Sequence, residues 1–243
     1  MADLYSNNND GYIYSSTMSA WADARDDTSG SSINTTSNSN SFFTAVSRFG
    51  GRRGGTTYSV ARSFMYFDTS GITGTVSAAT IKIRGFSGND GSVIAVKSTA
   101  FGGDGGTALA TTDLDAITGY SAGSSLAGNA TIYGPQILTS SWSTSGYNDF
   151  TGTSDLRADM QNNDVVIICF MDYTNDYLNV APTSDDTWNC GAYYTNNSGT
   201  SYDPYIEYTE VTGYGNTVTG VASANIGKVN GVATASISKV IGV

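Results

Sequence analysis

The chain has 243 residues, with 11 Lys plus Arg against 21 Asp plus Glu, a net charge of −10 and no histidine. That is enough chain to bury a core. The missing imidazole excludes Ser-His and Cys-His nucleophiles and His-ligated metals, and the acidity argues against a free-standing nucleic-acid binder. Charged residues make up only 13%, while 16 Tyr and 29 Gly sit among abundant Ser, Thr and Asn. This palette suits short strands joined by many turns, and its aromatic content argues against disorder for most of the chain.

In chain order, the first residues show no basic stretch followed by an apolar one, so no secretory signal is predicted. Residues 11–14 (GYIY) form a weak strand and the polar stretch 28–41 a surface loop. Residues 57–68 (TYSVARSFMYFD) are a strong strand candidate, rich in aromatic and β-branched residues. In residues 76–86, Ile81 and Ile83 alternate with Lys82 and Arg84, the period of a half-buried strand. Another strand is expected over residues 92–101, after the Asn89-Asp90-Gly91 turn. A short helix is expected over residues 112–118 around Leu114 and Ile117, and weak strands over 130–133 and 148–151.

Residues 153–161 predict a second helix, with Thr or Ser as its cap and Leu156 and Met160 on one face. Residues 164–172 (DVVIICFMD) contain the longest apolar run. It is too short to span a bilayer and reads as a strand covered on both faces. A weak strand over 187–194, a loop over 195–203 and an alternating final strand over 204–211 complete the series. Many short strands with turns between them predict an all-β jelly-roll sandwich with one or two short helices, occupying residues 1–212.

The character changes near residue 212. Every acidic residue lies at or before Glu210, leaving −12 on the body and +2, from Lys228 and Lys239, on residues 213–243. The tail repeats an eleven-residue unit, GVASANIGKVN then GVATASISKVI, identical at seven positions. Its apolar anchors are Val221, Ile226, Val229, Val232, Ile237, Val240 and Val243. They are too small to form a core alone, and their spacing fits neither a clean strand nor a clean helix. Covering them is worth about 1.5–3 kcal/mol each before ordering entropy. The tail is therefore read as an extended arm that lies on its own body, a sister subunit or another protein, with Lys228 and Lys239 pairing with partner acids. A disordered tail is the plainer alternative.

Chemistry is mostly rejected. Gly119-Tyr120-Ser121-Ala122-Gly123 matches the nucleophile-elbow pattern, but no histidine exists to activate the serine, so it reads as a turn. Gly102–Gly106 lacks the Lys-Ser/Thr of a phosphate loop. Asp23, Asp26, Asp27, Asp113, Asp115, Asp172, Asp176, Asp185 and Asp186 could hide a glycosidase pair, but most lie in turns that favour Asp for backbone reasons. Calcium on Asp23-Asp26-Asp27 or Asp185-Asp186 is weighed against the absence of EF-hand spacing; no metal, cofactor or catalytic residue is assigned. Arg48, Arg52 and Arg53 read as a solvated loop or a grip on an acidic neighbour. Trp21, Trp142 and Trp188 are candidates for stacking on sugar rings, with a core role the equal alternative. Cys169 and Cys190 read as buried free thiols rather than a bridge.

A resemblance adds to this reading. The stretch Arg62-Ser63-Phe64-Met65-Tyr66-Phe67-Asp68-Thr69-Ser70-Gly71-Ile72, followed by Val76 to Ile83, resembles the signature of DNRLRE-type jelly-roll modules of secreted bacterial proteins, which are akin to carbohydrate-binding modules. Residues 153–171 and 204–211 resemble that family's late helix and closing strand. The Gly/Val/Ala/Lys repeat is similar to C-terminal tails of tailed-phage structural proteins, as is the opening Asp10-Gly11-Tyr12-Ile13-Tyr14 with Trp21 and Arg25 downstream. The resemblance implies a non-enzymatic virion component. The expectation is a capsid decoration or cement protein, held by its arm to the major capsid protein or to sister subunits. It would form a closed symmetric homo-oligomer such as a trimer, with neither nucleic acid nor membrane as partner. A carbohydrate- or receptor-binding module of a tail or head fibre is the alternative.

Overall fold

The computed structural model describes residues 1–35, 43–51, 54–195 and 199–211 and, in the tail, the backbone of 228–229 and 232–233. The body is an all-β jelly-roll sandwich built on two long strands, β5 (Thr56–Asp68) and β6 (Thr75–Asn89). Asp68 makes the turn between them, its carboxylate accepting from the N–H and hydroxyl of Ser70.

Around these lie β1 (Ala2–Tyr5), β2 (Gly11–Tyr14), β3 (Ser32–Asn34), β4 (Thr44–Gly50), β7 (Val93–Lys97), β8 (Ile132–Ile137), β9 (Tyr147–Thr151), β10 (Val165–Met171), β11 (Asp186–Ala192) and β12 (Tyr205–Val211). The hydrogen-bonded path runs β1-β12-β6-β11-β4-β5-β10-β7-β8; β2 joins β5 and β3, and β9 joins β6. Every pairing between these strands is antiparallel.

β6 passes from one layer to the other. Its residues 75–82 pair with β12 and 80–84 with β9, whereas 85–88 pair with β11. Gly85 sits at the changeover, where any Cβ would collide with the Ser143 carbonyl oxygen. Pro135 is tolerated in β8 because that strand pairs on one side only, with β7.

The apolar run of residues 164–172 is covered on both faces, as its sequence predicts. From β10, Val166, Ile168 and Phe170 enter a core shared with Ile81, Ile83, Phe150 and Ile206. Ile167, Cys169 and Met171 enter a second core with Phe101, Leu114, Ile117 and Leu126. β5 and β7 divide in the same way, Met65 and Phe67 against Phe64 and Tyr66, Val93 and Ala95 against Ile94 and Val96. One sheet is thus sandwiched between β6, β9 and β12 on one side and a folded segment of residues 100–126 on the other.

Helix α2 (Ser154–Asn162) has the expected cap, Thr153 accepting from the Leu156 N–H, and buries Leu156 and Met160 in the first core. The helix expected over 112–118 is only a 3-10 turn at Thr111–Asp113. Leu114 and Ile117 are buried by the chain folding over β10 rather than by a helical face. A five-residue helix, α1 (Trp21–Arg25), and strands β1, β3 and β4 occur where none was expected, β3 inside the stretch read as a loop. Cys169 and Cys190 are buried free thiols, and burial pushes both thiols up. In the tail, Lys228–Val229 (β13) pairs antiparallel with Val232–Ala233 (β14). Among the described residues no helix is long and apolar enough to cross a membrane.

Candidate functional site

The feature best suited to recognition is an aromatic and charged face on the outside of β1, β12, β6 and β9. Alternation creates it. Ile81, Ile83, Phe150 and Ile206 point into the core, so Lys82, Arg84, Tyr147, Asp149, Tyr205 and Glu207 point out. Register then aligns them: Tyr205 is opposite Lys82, Lys82 opposite Asp149, Arg84 opposite Tyr147 and Tyr5 opposite Tyr205.

The side chains form a continuous ridge. Tyr205 packs against Tyr5 (centroids 5.5 Å apart) and Tyr147 (5.2 Å). The Arg84 guanidinium carbon lies 5.8 Å from the Tyr147 ring and 4.5 Å from Tyr202. Tyr202 stacks on Tyr193 at 4.9 Å, and Tyr193 meets Phe86 at 5.1 Å. Tyr5 and Tyr202 are 40% and 38% exposed, large values for aromatic rings. The ridge is pinned: Tyr147 donates its hydroxyl proton towards the carbonyls of Ser201 (3.0 Å) and Asp203 (3.3 Å), and Arg84 donates to Ser145 O (2.8 Å). Burial, with neighbouring Tyr205, pushes the Tyr147 phenol up to about 12. Lys82 is held 2.8 Å from Asp149 and 3.4 Å from Glu207. Burial works against its charge, but the bond to Asp149 and the charges of Asp149, Tyr205 and Glu207 together outweigh this and lift the ammonium above its ordinary value. The rings and guanidinium are the residue types that dominate binding hot spots.

The tryptophans singled out from sequence are elsewhere. Trp142 is a correction as a stacking residue. It is buried in the first core against Phe43, with its indole N–H donating to Ser87 O at 2.9 Å, so neither ring face is open to a sugar. Trp21 is half-buried on α1, edge-on to Tyr58 and donating to Asn179 Oδ1 (2.9 Å), and Trp188 is half-buried on β11. The three do not come together, and the exposed ridge is tyrosine. No tyrosine was distinguished by sequence alone; the only signal is that Arg84 and Tyr205 fall on the polar phase of alternating strands.

The arm anchors Val221, Ile226, Ile237, Lys239, Val240 and Val243 lie outside the described residues, as do Arg52 and Arg53; of Lys228, Val229 and Val232 only the backbone is described. Arg48 forms an ion pair with Asp185 of its own chain. Gly119–Gly123 is a turn in which both glycines have positive φ. The Asp27 carboxylate accepts from Ser16 and Ser29 N–H groups, and among the described residues no three carboxylates or thiols converge as a metal site.

A buried ionic cluster went unanticipated. Arg62, in the middle of apolar β5, makes two 2.7 Å bonds to Asp176 and donates to the carbonyls of Leu114 and Arg25 at 2.8 Å. Arg25, equally buried, bonds Asp26 at 2.5 Å and Asp176 O at 2.9 Å. The Tyr120 ring lies 5.4 Å from both guanidinium carbons. Burial would discharge Arg62, but the Asp176 carboxylate outweighs it and raises its pKa. With both arginines fully enclosed, this cluster fastens α1, β5 and the turn Tyr173–Tyr177 together rather than contacting a ligand.

A polar cavity of about 550 Å³ opens beside the end of α2, lined by Lys97, Tyr133, Asn163 and Asp164 among others. Lys97 bonds Asp159 at 2.8 Å, and the Tyr133 hydroxyl donates to the same oxygen. Burial would raise the Asp159 carboxyl, but these bonds outweigh it and hold it below its ordinary value.

No protein-family model matches the chain, and no curated protein matches it either. The fold and this face define it as an all-β jelly-roll sandwich with an exposed tyrosine–arginine surface.

Proposed function

We propose that the chain is a non-enzymatic structural protein of a phage virion, a capsid decoration or cement protein whose sandwich is displayed outward. In this reading residues 213–243 fix it to the major capsid protein or to sister subunits in a symmetric homo-oligomer such as a trimer. The supporting observation is how the body ends. Its last strand, β12, is flanked on both sides, by β1 and by β6, so both of its own edges are paired before the repeat begins. The repeat then brings Val, Ile and Lys with no acid, beyond a body of charge −12.

The test compares the full chain with residues 1–212 and with a full chain carrying Ile226→Asp and Ile237→Asp. All three are expected to melt within a few degrees of one another, and only the full wild-type chain to co-sediment with virions stripped of it. Full decoration by the truncated form would defeat the reading.

The tyrosine–arginine ridge favours a second reading, a receptor- or carbohydrate-binding module of a tail or head fibre. Its test is a glycan array with the wild type and with Arg84→Ala and Tyr202→Ala. Saturable binding lost in both variants, at unchanged melting temperature, supports the module; no binding by the wild type removes it.

A further inference from the structure

Two carboxylates share a buried corner without a balancing cation. Asp10, immediately before β2, is fully buried, and its oxygens accept from Ser6 Oγ (2.9 Å), Thr195 Oγ1 (2.8 Å) and the Thr195 N–H (3.1 Å). Asp203, ahead of β12, is 7% exposed, and its Oδ1 has no hydrogen-bond partner among the described residues. The other titratable groups facing the corner are phenols: Tyr194 beside Thr195, Tyr12 of β2 stacked on Tyr194 at 6.5 Å, and Tyr147 bonded to Asp203 O. Neither Asp10 nor Asp203 forms an ion pair with a Lys or Arg of the described residues. The corner ties the two ends of the body together, since the Ser6 N–H also donates to Pro204 O at 3.0 Å.

The Thr195 hydroxyl has one proton and two acceptors in reach, Asp10 Oδ1 at 2.8 Å and Asn7 O at 3.3 Å. While Asp10 is ionised, the shorter bond takes that proton. A protonated Asp10 donates to Thr195 Oγ1 instead, and the threonine proton turns to Asn7 O, adding one bond between the N-terminal segment and Thr195.

We propose that Asp10 is a proton-operated latch: proton uptake locks residues 2–10 onto Thr195 and the segment Asp203–Pro204, and proton loss loosens them, β1 included. Burial pushes the Asp10 carboxyl up from 3.8 to about 6, against the lowering effect of the Thr195 and Ser6 bonds and with the help of Asp203's charge. Because the folded value lies above the unfolded one, folding favours the protonated form. The stabilisation is complete below the unfolded value and is lost as pH rises through about 6.

The experiment uses the full chain. The Asp10 carboxyl is followed by 13C NMR, and amide exchange of residues 2–7, corrected for intrinsic rates, is compared at pH 4.5 and 7.5. The expected midpoint is about 6, and protection should fall roughly thirtyfold from the lower to the higher pH. Asp10→Asn, neutral at both, should show no such difference, and Asp203→Asn should move the midpoint to lower pH. A wild-type midpoint near 4, an unmoved midpoint in Asp203→Asn, or equal pH dependence in Asp10→Asn each overturns the proposal. So does restoration of wild-type protection at pH 7.5 by 1 mM calcium, which would make the corner a cation site rather than a proton latch.

Discussion

Arg62 shows what one charged residue can do inside an apolar strand. A lone guanidinium in the interior would cost several kcal/mol, and here the cost is offset by the paired Asp176 oxygens and two carbonyls. Arg25 and Asp26 add a second pair, so the cluster carries no net charge. Such a group need not stabilise more than a hydrophobic one of the same shape, and its bonds join α1 and the Tyr173–Tyr177 turn to β5. Asp176→Ala leaves the enclosed Arg62 guanidinium with only the Leu114 and Arg25 carbonyls, while Arg25 keeps Asp26. It is expected to lower the urea unfolding free energy by about 3–5 kcal/mol with the slope unchanged. A loss below about 1 kcal/mol, the range of exposed pairs, would show that the cluster is wetter than its burial implies.

At the scale of elements, the sequence was legible wherever a local pattern decided the structure. The two-residue alternation of Lys82–Arg84 and Ile81–Ile83, the unbroken apolar run of β10 and the cap at Thr153 each carry their own physical cause. Illegible elements owe their existence to a partner. β1 (ADLY) and β3 (SIN) are too short to show a period and are strands because β12 and β2 present ladder groups to them. β4 falls in a stretch where the sequence predicts no strand; of its buried polar residues, Ser47 finds the Thr187 hydroxyl at 3.1 Å across the sheet, whereas the Thr44 hydroxyl has no hydrogen-bond partner among the described residues. The aromatic face is illegible in the sequence for a similar reason. Its rings come from residues 5, 86, 147, 193, 202 and 205 and meet through strand register and through Tyr193 and Tyr202 beyond the strand ends, whereas tryptophan draws attention by size, and Trp142 uses that size to fill the core. The burial of Arg62 in the middle of β5 has no local sign in the sequence. Its partner Asp176 lies 114 residues away, in a turn that gives no sign of it.

For the whole molecule, the shared sheet sets how it comes apart. β5, β7 and β10 each contribute alternate residues to both cores, so neither core can open while the other keeps its strands intact. A molecule with two independent cores would unfold in two steps; one with a common wall should unfold in one. The tryptophans report on the two sides separately. Trp142 is buried in the first core, while Trp21 sits on α1, against Tyr58 and beside the ionic cluster. Two single-tryptophan proteins, one keeping Trp142 and one keeping Trp21, with Phe at the other positions, are compared in urea by fluorescence and far-UV circular dichroism. Within each protein the two probes should give one coincident transition, and hydrogen exchange in β10 should be the slowest in the chain. If Trp21 reports a transition at lower urea than circular dichroism does, then α1 and the segment over the second core form a separate unit. In that case the shared wall would not couple the two faces.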